Sequence, residues 1–297
     1  MASRGELGRS MMWLVVILVG SFCLNHVRAD FTTDTTFNFG SHQSSILNNG
    51  SDLQLVLTNS SGGGIQSKNQ YLFGSFEVSI KLIRGNSAGT VTTFYLSSIG
   101  NNHDEIDFEF LGNETGQPYT IHTNIFVKGV GNKEQQFRLW FDPTSSFHNY
   151  TIHWNPSEVV WYVDNFPIRV FRNYENQNKN ITYANKQPMR VYASLWNADD
   201  WATQGGRIKT NWTLAPFVVK YRGFKPSACV WTGVASISQC AKNIPANWWA
   251  SPAYSQLSTA QKNKMTWVKN NYKFYDYCND INRFQRKMPA ECSLPQF

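Results

Sequence analysis

Apolar and polar residues alternate with a period of two along much of the chain, and this pattern most limits the folds open to it. Four segments alternate in this way, and a fifth, 159–163, is an apolar run that ends at the turn signal Asp164-Asn165. The alternating segments are 53–58, 76–82, 189–196 and 217–222. A period of two puts every second side chain on the same face of a strand. Repeated short strands separated by Gly, Asn and Pro indicate an all-β sandwich or barrel.

The start of the chain has the composition of a secretory signal. Two arginines precede the apolar run 11–19, and residues 27–29 resemble a signal-peptidase cleavage site. The run is shorter than a typical membrane-spanning helix. We therefore expect residues 1–29 to be a signal peptide, and the secreted chain to have no membrane contact after its removal. An uncleaved anchor is the alternative.

The overall composition excludes a disordered chain. Hydrophobic residues make up 41% of the sequence and charged residues only 16%, whereas disorder needs the opposite balance. Aromatic residues reach 15%, which is common in β proteins that stack against flat ligands. The net charge of +7 is compatible with nucleic acid or with an acidic polysaccharide matrix. No nucleic-acid-binding motif accompanies it, so no nucleic acid partner is expected.

Four cysteines lie in the last quarter of the chain, and the fifth, Cys23, lies in the expected signal. An even number in an oxidising compartment predicts two disulfides. Of the three possible connectivities, the local one closes the shortest loops, and it pairs Cys229 with Cys240 and Cys278 with Cys292. A zinc site is the alternative, but it lacks the usual CxxC spacing.

The cysteine-bearing region is predicted to be an extension of the sandwich. We expect residues 30–222 to form the β-sandwich domain and residues 223–297 to form a C-terminal extension packed on it. The segment 258–261 reads Ser-Thr-Ala-Gln, which is a capping-box pattern, and Met265, Val268 and Tyr272 follow at helical spacing. One short helix is therefore expected in the extension.

The chemistry is concentrated in the octapeptide 103–110. On a strand, Glu105, Asp107 and Glu109 share one face, and the other face carries apolar residues at 106, 108 and 110. Three carboxylates in a row repel one another and raise the pKa of at least one of them. A solvated edge strand is the structural alternative, although edges usually carry Lys or mixed charge.

Two carboxylates on one face are typical of glycoside hydrolysis or transfer. Glu105 is predicted to be the nucleophile, Glu109 the acid/base, and Asp107 a helper that hydrogen-bonds Glu105. The i, i+4 spacing puts the two Cα atoms roughly 13 Å apart on a straight strand. Spacing alone leaves retention and inversion open. A lectin-like glycan-binding protein on a similar sandwich is the alternative class, but it needs no paired carboxylates.

The octapeptide and many further segments resemble plant xyloglucan endotransglucosylase/hydrolases of glycoside hydrolase family 16. The resemblance covers nearly all of the chain after residue 29 and includes the cysteine-bearing tail. Its segments are 67–69, 71–74, 87–92, 103–113, 122–124, 139–143, 187–189 and 194–203. It implies a concanavalin-like jelly-roll β-sandwich with a concave cleft, a retaining mechanism, and xyloglucan as donor and acceptor. It also implies work in the cell wall and apoplast.

The resemblance assigns roles to individual residues. Glu105 corresponds to the nucleophile, Glu109 to the proton donor, Asp107 to the assisting carboxylate and Asn113 to an N-glycosylation site. The positions implied to line the cleft are His122, Thr123, Asn124, Asn132, Lys133, Glu134, Trp196, Asp200, Trp201, Gly205 and Arg283. Lys133 stands where the family commonly has Arg, and the loop 176–181 is more polar than the family pattern.

These features together predict a xyloglucan endotransglucosylase that acts as a monomer. A xyloglucan-specific hydrolase shares every step up to the glycosyl-enzyme and is the nearer alternative. Trp196 and Trp201 could instead be core residues, although their polar neighbours favour stacking against sugar. No His, Asp and Glu residues stand at metal-ligand spacing, so no metal or cofactor is expected.

Overall fold

A computed structural model describes residues 30–178 and 181–297 of the chain. The predicted signal, residues 1–29, lies outside these ranges. Within the described ranges, no helix is long and apolar enough to span a membrane.

The described residues form fifteen strands. In chain order they are β1 Thr35–Phe39, β2 Ser45–Leu47, β3 Asp52–Leu57, β4 Gly63–Ser67, β5 Tyr71–Lys81, β6 Thr90–Ser97, β7 Glu105–Leu111, β8 Thr120–Phe126, β9 Gln135–Phe137, β10 His148–Trp154, β11 Glu158–Val163, β12 Phe166–Arg172, β13 Arg190–Asn197, β14 Phe217–Val230 and β15 Lys273–Asp276. Three short stretches of α-helix accompany them: α1 Phe31–Asp34, α2 Ser236–Gln239 and α3 Thr259–Asn271. Short 3₁₀ segments lie at Thr203–Gly206, Trp212–Leu214, Pro245–Ala250, Pro252–Tyr254, Tyr277–Asn279 and Ala290–Ser293.

The strands form two antiparallel sheets, which confirms the predicted sandwich. The eight-stranded sheet has the order β1-β4-β13-β6-β7-β8-β9-β15, and the seven-stranded sheet has the order β12-β11-β10-β5-β14-β3-β2. Strand β7 therefore lies inside the larger sheet, hydrogen-bonded on one side to β6 and on the other to β8. The edge-strand alternative for the acidic octapeptide is wrong, because both edges of β7 are paired.

The core fills the space between the sheets. Ile106, Phe108 and Phe110 on β7 are 0% exposed, as the alternation predicts. They meet large side chains from the opposite sheet, among them Tyr150 on β10 and Trp161 on β11. Burial of this apolar face commits the other face of β7, with its carboxylates, to the outside of the sandwich.

The C-terminal extension is built into both sheets. Strand β14 runs without interruption past the expected boundary at residue 222, with a register shift against β5 between Arg222 and Lys225. Strand β15 adds to the far edge of the eight-stranded sheet by pairing with β9. Helix α3 begins at the predicted capping box of Ser258 and Gln261, and its buried Met265 packs with side chains of β11 and β12. The division at 222 and 223 stays a prediction.

The two disulfides connect the predicted partners. Cys229 is bonded to Cys240, and Cys278 is bonded to Cys292. The first disulfide ties the end of β14 to the segment after α2. The second joins the two 3₁₀ turns that follow β15. The local connectivity is therefore confirmed, and the bridges fix a region with little core of its own.

The core beneath strand β7 generates a stability prediction. The ring of Tyr150 packs edge-on against Phe108 and Phe110, but its buried hydroxyl has no hydrogen-bond partner among the described residues. We expect Tyr150→Phe to raise the free energy of unfolding by about 1 kcal/mol, because an unsatisfied polar group is removed. Phe108→Ala is the contrasting variant and should lower it by about 3–5 kcal/mol. Denaturant unfolding measures both, and a clear loss of stability in Tyr150→Phe would contradict the assignment.

Candidate active site

The three carboxylates of β7 lie on the outer face of the eight-stranded sheet, which we call the cleft. Their cross-strand neighbours on β8 share that face, with His122 opposite Glu109 and Asn124 opposite Asp107. On β6, Thr93 is opposite Glu109 and Tyr95 is opposite Asp107. The three acids are thus surrounded by polar and aromatic side chains within a hydrogen-bonded sheet.

Glu105 lies in a partly buried position with several polar neighbours. Burial raises the pKa of Glu105, and the negative charge of Glu109 acts in the same direction. Hydrogen bonds from Ser97 and Asp107 and the nearby His103 oppose that rise. The Nε2 atom of His103 is 3.9 Å from a Glu105 carboxylate oxygen. The donors around Glu105 therefore favour its ionised form but do not outweigh the effect of burial on its pKa.

Glu109 has a different neighbour. The Nδ1 atom of His122 is 3.6 Å from a carboxylate oxygen of Glu109. The ring of His122 is also close to that of Trp201, with 6.3 Å between their centroids. The two glutamates of β7 consequently have separate imidazole partners, one at each end of the carboxylate row.

Asp107 is the most buried of the three acids, at 6% exposure. Burial raises its pKa well above the ordinary value, and the charges of Glu105 and Glu109 raise it further. The buried Arg169 lowers the pKa of Asp107 but does not outweigh these effects. Asp107 thus favours its protonated form, in which it can donate a hydrogen bond to Glu105.

Strand β7 is also hydrogen-bonded to a side chain of the opposite sheet. The indole Nε1 of Trp161, on the opposite sheet, donates a 2.9 Å hydrogen bond to the backbone oxygen of Asp107. Trp161 is 0% exposed, so this bond crosses the core. It fixes the centre of the carboxylate row relative to the second sheet.

A cavity of about 240 Å³ opens above the carboxylates. It is lined by Thr93, Tyr95, Glu105, Asp107, Phe108, Glu109, Ser194 and Trp196. Half-buried Trp196 lies 6.1 Å from Trp201 between ring centroids, and both indoles pack on a small cluster of buried apolar residues. Each tryptophan therefore packs against a buried cluster and is still partly exposed. The prediction that they are core residues and the prediction that they stack against sugar are thus compatible.

The loop that carries Trp201 is tied to the end of β7. The hydroxyl of Thr203 donates to the backbone oxygen of Gly112 and accepts a hydrogen bond from the backbone N–H of Gly89. Asp200 and Gly205 are exposed in this loop, and Gly205 has the positive φ of 68° that favours glycine. Asn113 follows directly after β7, and its side-chain nitrogen donates to the backbone oxygen of Pro118.

The other end of the cleft is formed with the C-terminal extension. Arg283 forms an ion pair with Glu134, at 2.7 Å from Nη1 to Oε2, and its Nη2 donates to Asn132 Oδ1 at 2.9 Å. Nη1 also donates to the hydroxyl of Tyr275 on β15. The predicted residues Asn132, Glu134 and Arg283 are thus brought together although about 150 residues separate them in sequence.

Two predicted cleft residues point elsewhere. Thr123 alternates with His122 and Asn124, so its side chain faces the core, where it is 0% exposed and contacts Arg169. The side chain of Lys133 is paired with Glu291 of the extension and is only 12% exposed. Their assignment to the cleft lining is therefore corrected, because both side chains are committed to buried contacts behind it.

Some residues at the site were not among the predicted ones. Thr93, Tyr95 and Ser194 line the cavity, and alternation along β6 could have identified the first two because they face the same way as the acids opposite them. Tyr275 and the buried Arg169 carried no sequence signal, since their contacts depend on long-range packing. The polar loop around Asn176 lies beside Arg172 and Pro295, away from the catalytic cavity, and its residues 179 and 180 are outside the described ranges.

Comparison with known proteins gives matches over most of the chain. Residues 31–214 match the family model of glycosyl hydrolases family 16, and residues 243–292 match the model of the xyloglucan endo-transglycosylase (XET) C-terminus. Xyloglucan endotransglucosylase protein 7 of Diospyros kaki is 52% identical over 86% of this chain and 94% of its own length. The probable xyloglucan endotransglucosylase/hydrolase protein 23 of Arabidopsis thaliana is 49% identical over 94% of this chain and 96% of its own.

Solved structures show the same sandwich. A β-glucanase of Bacillus licheniformis aligns with a TM-score of 0.53 and 26% identity, over 66% of this chain and 92% of the glucanase. The Crh5 transglycosylase in complex with NAG has a TM-score of 0.52 at 22% identity, over 66% of this chain and 82% of its own. At 22% identity, the similarity to the Crh5 transglycosylase shows a shared fold and nothing more.

The environment of Asp107 generates a pH prediction. The pKa of Asp107 is higher in the folded state than in the unfolded state, where it has the ordinary carboxyl value of about 4. In the pH window between these two values, the folded chain binds more protons than the unfolded chain. The stabilisation by protonated Asp107 is complete below that window and is lost as the pH rises through the folded-state pKa.

We therefore expect the stability of the wild type to fall relative to Asp107→Asn as the pH rises, by at most about 1.4 kcal/mol per pH unit within the window. Urea unfolding of both proteins from pH 3 to pH 8 measures the difference. Parallel stability profiles would show that Asp107 has an ordinary pKa.

Proposed function

Because this chain belongs to glycosyl hydrolases family 16, and within it to the xyloglucan endotransglucosylase/hydrolase proteins, we propose that it is a xyloglucan endotransglucosylase. It cleaves the β-1,4-glucan backbone of one xyloglucan chain and transfers the fragment to another. The observation that carries this proposal is the row of Glu105, Asp107 and Glu109 in a cleft whose far end is made by the XET C-terminal region.

The reaction proceeds by two displacements at the anomeric carbon. In the first, ionised Glu105 attacks that carbon, the bond to the leaving glucan oxygen breaks, and Glu109 gives its proton to that oxygen. In the second, Glu109 takes the proton of an acceptor hydroxyl, the new glycosidic bond forms, and the bond to Glu105 breaks. Two inversions give net retention, and no proton or electron is left over.

The environments of the three acids support this division of roles. Protonated Asp107 donates to Glu105 and stabilises the carboxylate that attacks. Once Glu105 is glycosylated its charge is gone, and Glu109 loses a negatively charged neighbour. Glu109 then serves as the base of the second step.

Transfer competes with water, which is present in excess and needs no binding site. An acceptor chain prevails only if its hydroxyl is held at the anomeric carbon, where its effective molarity is large. We assign the acceptor to the half of the cleft that holds Asn132, Glu134 and Arg283, because the extension adds to that end. The half with Trp196 and Trp201 then holds the donor by stacking and polar contacts.

The setting of the reaction is part of the same proposal. The expected signal at 1–29 directs the chain out of the cell, and Asn113 carries an N-glycan at the end of the catalytic strand. Asn113 is half-buried next to Glu114 and begins the sequon Asn113-Glu114-Thr115, which is an acceptor pattern for N-glycosylation. The enzyme works as a monomer in the cell wall and apoplast.

The assignment of Glu105 is tested by removing its carboxylate. Glu105→Ala should abolish turnover of xyloglucan, since no covalent intermediate can form, whereas the thermal unfolding temperature should change little because the side chain is outside the core. Glu109→Gln is the companion variant and should lower kcat by about 10²–10⁴-fold. Wild-type transfer by Glu105→Ala would show that another residue is the nucleophile.

The fate of the intermediate is tested with a labelled acceptor. Xyloglucan is incubated with the enzyme, with and without a fluorescent xyloglucan oligosaccharide, and both polymer label and reducing ends are followed. We expect the label to enter long polymer with few new reducing ends, because the bound acceptor outcompetes water. Steady release of reducing ends that added acceptor does not suppress would identify a hydrolase instead.

A further inference from the structure

Four side chains form a buried group behind the acceptor half of the cleft, and we call Lys133, Arg169, Tyr277 and Glu291 the rear cluster. The Nζ of Lys133 is ion-paired with Glu291, and the hydroxyl of Tyr277 donates to the same Glu291 oxygen at 3.1 Å. The side chain of Glu291 is 5% exposed. Charges so far from water are held in place by their partners, because desolvation makes an unpaired charge very unfavourable.

Arg169 joins this group to the two sheets. It reaches from β12 and donates through Nη1 to the backbone oxygen and hydroxyl of Thr123, at 2.6 and 3.0 Å. Its Nη2 donates to the backbone oxygen of Lys133 at 2.6 Å. The guanidinium also lies over the ring of Trp161, at 4.7 Å from its centroid, and near Tyr277. The same buried guanidinium therefore holds the backbone of residue 133 through Nη2 and Thr123 through Nη1.

The extension supplies its half of the rear cluster through a covalent link. Tyr277 and Glu291 each precede a cysteine, and Cys278 and Cys292 are bonded to each other. The disulfide thus keeps the hydroxyl donor and the carboxylate side by side on the same partner, Lys133. The two residues lie in separate 3₁₀ turns of the extension, and the disulfide connects those turns.

The rear cluster lies directly beneath the cleft. Asn132 and Glu134, on either side of Lys133, both hold Arg283 on the cleft side. The backbone N–H of Lys133 donates to Asn124 Oδ1, which is opposite Asp107 in the sheet. A displacement of residue 133 therefore moves a cation, a carboxylate and an amide that face the cleft.

We propose that the rear cluster positions the acceptor half of the cleft, so that Lys133 and Glu291 act as positioning residues for transfer. This inference rests on the proposed transferase function. The hydrogen-bonded ion pair fixes one geometry for residue 133, because its partners must meet at defined distances and angles. The expected consequence of loosening the pair is a weaker hold on the acceptor, with little change in donor cleavage.

The test removes the charge of Glu291 and leaves its shape. In Glu291→Gln, the KM for the oligosaccharide acceptor should rise about tenfold, while kcat for the release of reducing ends from xyloglucan, measured without added oligosaccharide, should change less than twofold. Lys133→Arg is the conservative variant, which retains the pair and should stay within twofold of the wild type in both measurements. All proteins are compared as full secreted chains with both disulfides intact.

Arg172→Met is the matched control. It breaks the ion pair of another buried carboxylate, Glu158, at 3.1 Å from half-buried Arg172. Arg172 also donates to the extension at Ser255, and these contacts are away from the cleft. We expect Arg172→Met to lower the thermal unfolding temperature as much as Glu291→Gln does, with no change in the acceptor KM. A general loosening of the extension would instead raise the acceptor KM in both variants.

The outcomes separate the two proposals. If the wild type releases reducing ends without transfer, the proposed function is wrong. If the wild type transfers and Glu291→Gln has an unchanged acceptor KM, or one raised no more than that of Arg172→Met, the rear cluster is only structural and the inference is wrong. A rise confined to Glu291→Gln, with Lys133→Arg near the wild type, supports it.

Discussion

The structure depends on one constraint: the two faces of strand β7 need opposite environments. One face must be buried completely, since Ile106, Phe108 and Phe110 have no exposure, and the other must hold three acids that repel one another. A strand can satisfy both because its side chains alternate. The sandwich supplies the apolar cover, and the neighbouring strands supply the donors that make the acidic face tolerable. Catalysis by paired carboxylates is thus built on the same alternation that folds the chain.

The predictions from sequence succeeded where a pattern is local. Alternation identified β3, β5, β13 and part of β14, the capping box identified the start of α3, and the acidic octapeptide identified the centre of the cleft. The expected sandwich and both disulfides are confirmed. These features succeed because strand periodicity, helix capping and short loops depend on neighbouring residues.

The features that sequence could not give depend on partners far along the chain. Lys133 and Thr123 lie in segments that match the family pattern, yet only the sheet register shows that Thr123 faces inward and only Glu291 explains where Lys133 points. Arg169 stands in an apolar segment of β12, where a buried cation contradicts simple patterning. The burial of Arg169 is explained only by its contacts with both sheets and with the extension, which the sequence pattern does not show.

The end of the cleft that holds Arg283, with Glu291 behind it, has a consequence for the order in which the protein is built. A chain emerges from the ribosome from its first residue, so all of β7 and its sheet neighbours β6 and β8 exist long before these two residues. Glu105 and Glu109, the proposed nucleophile and acid, are therefore present in a nascent chain in which the proposed acceptor half is unfinished. Completion of that half waits for the last turns of the chain and for the bond between Cys278 and Cys292. If the acceptor binds at that end, as proposed, transfer depends on residues that are synthesised well after Glu105 and Glu109.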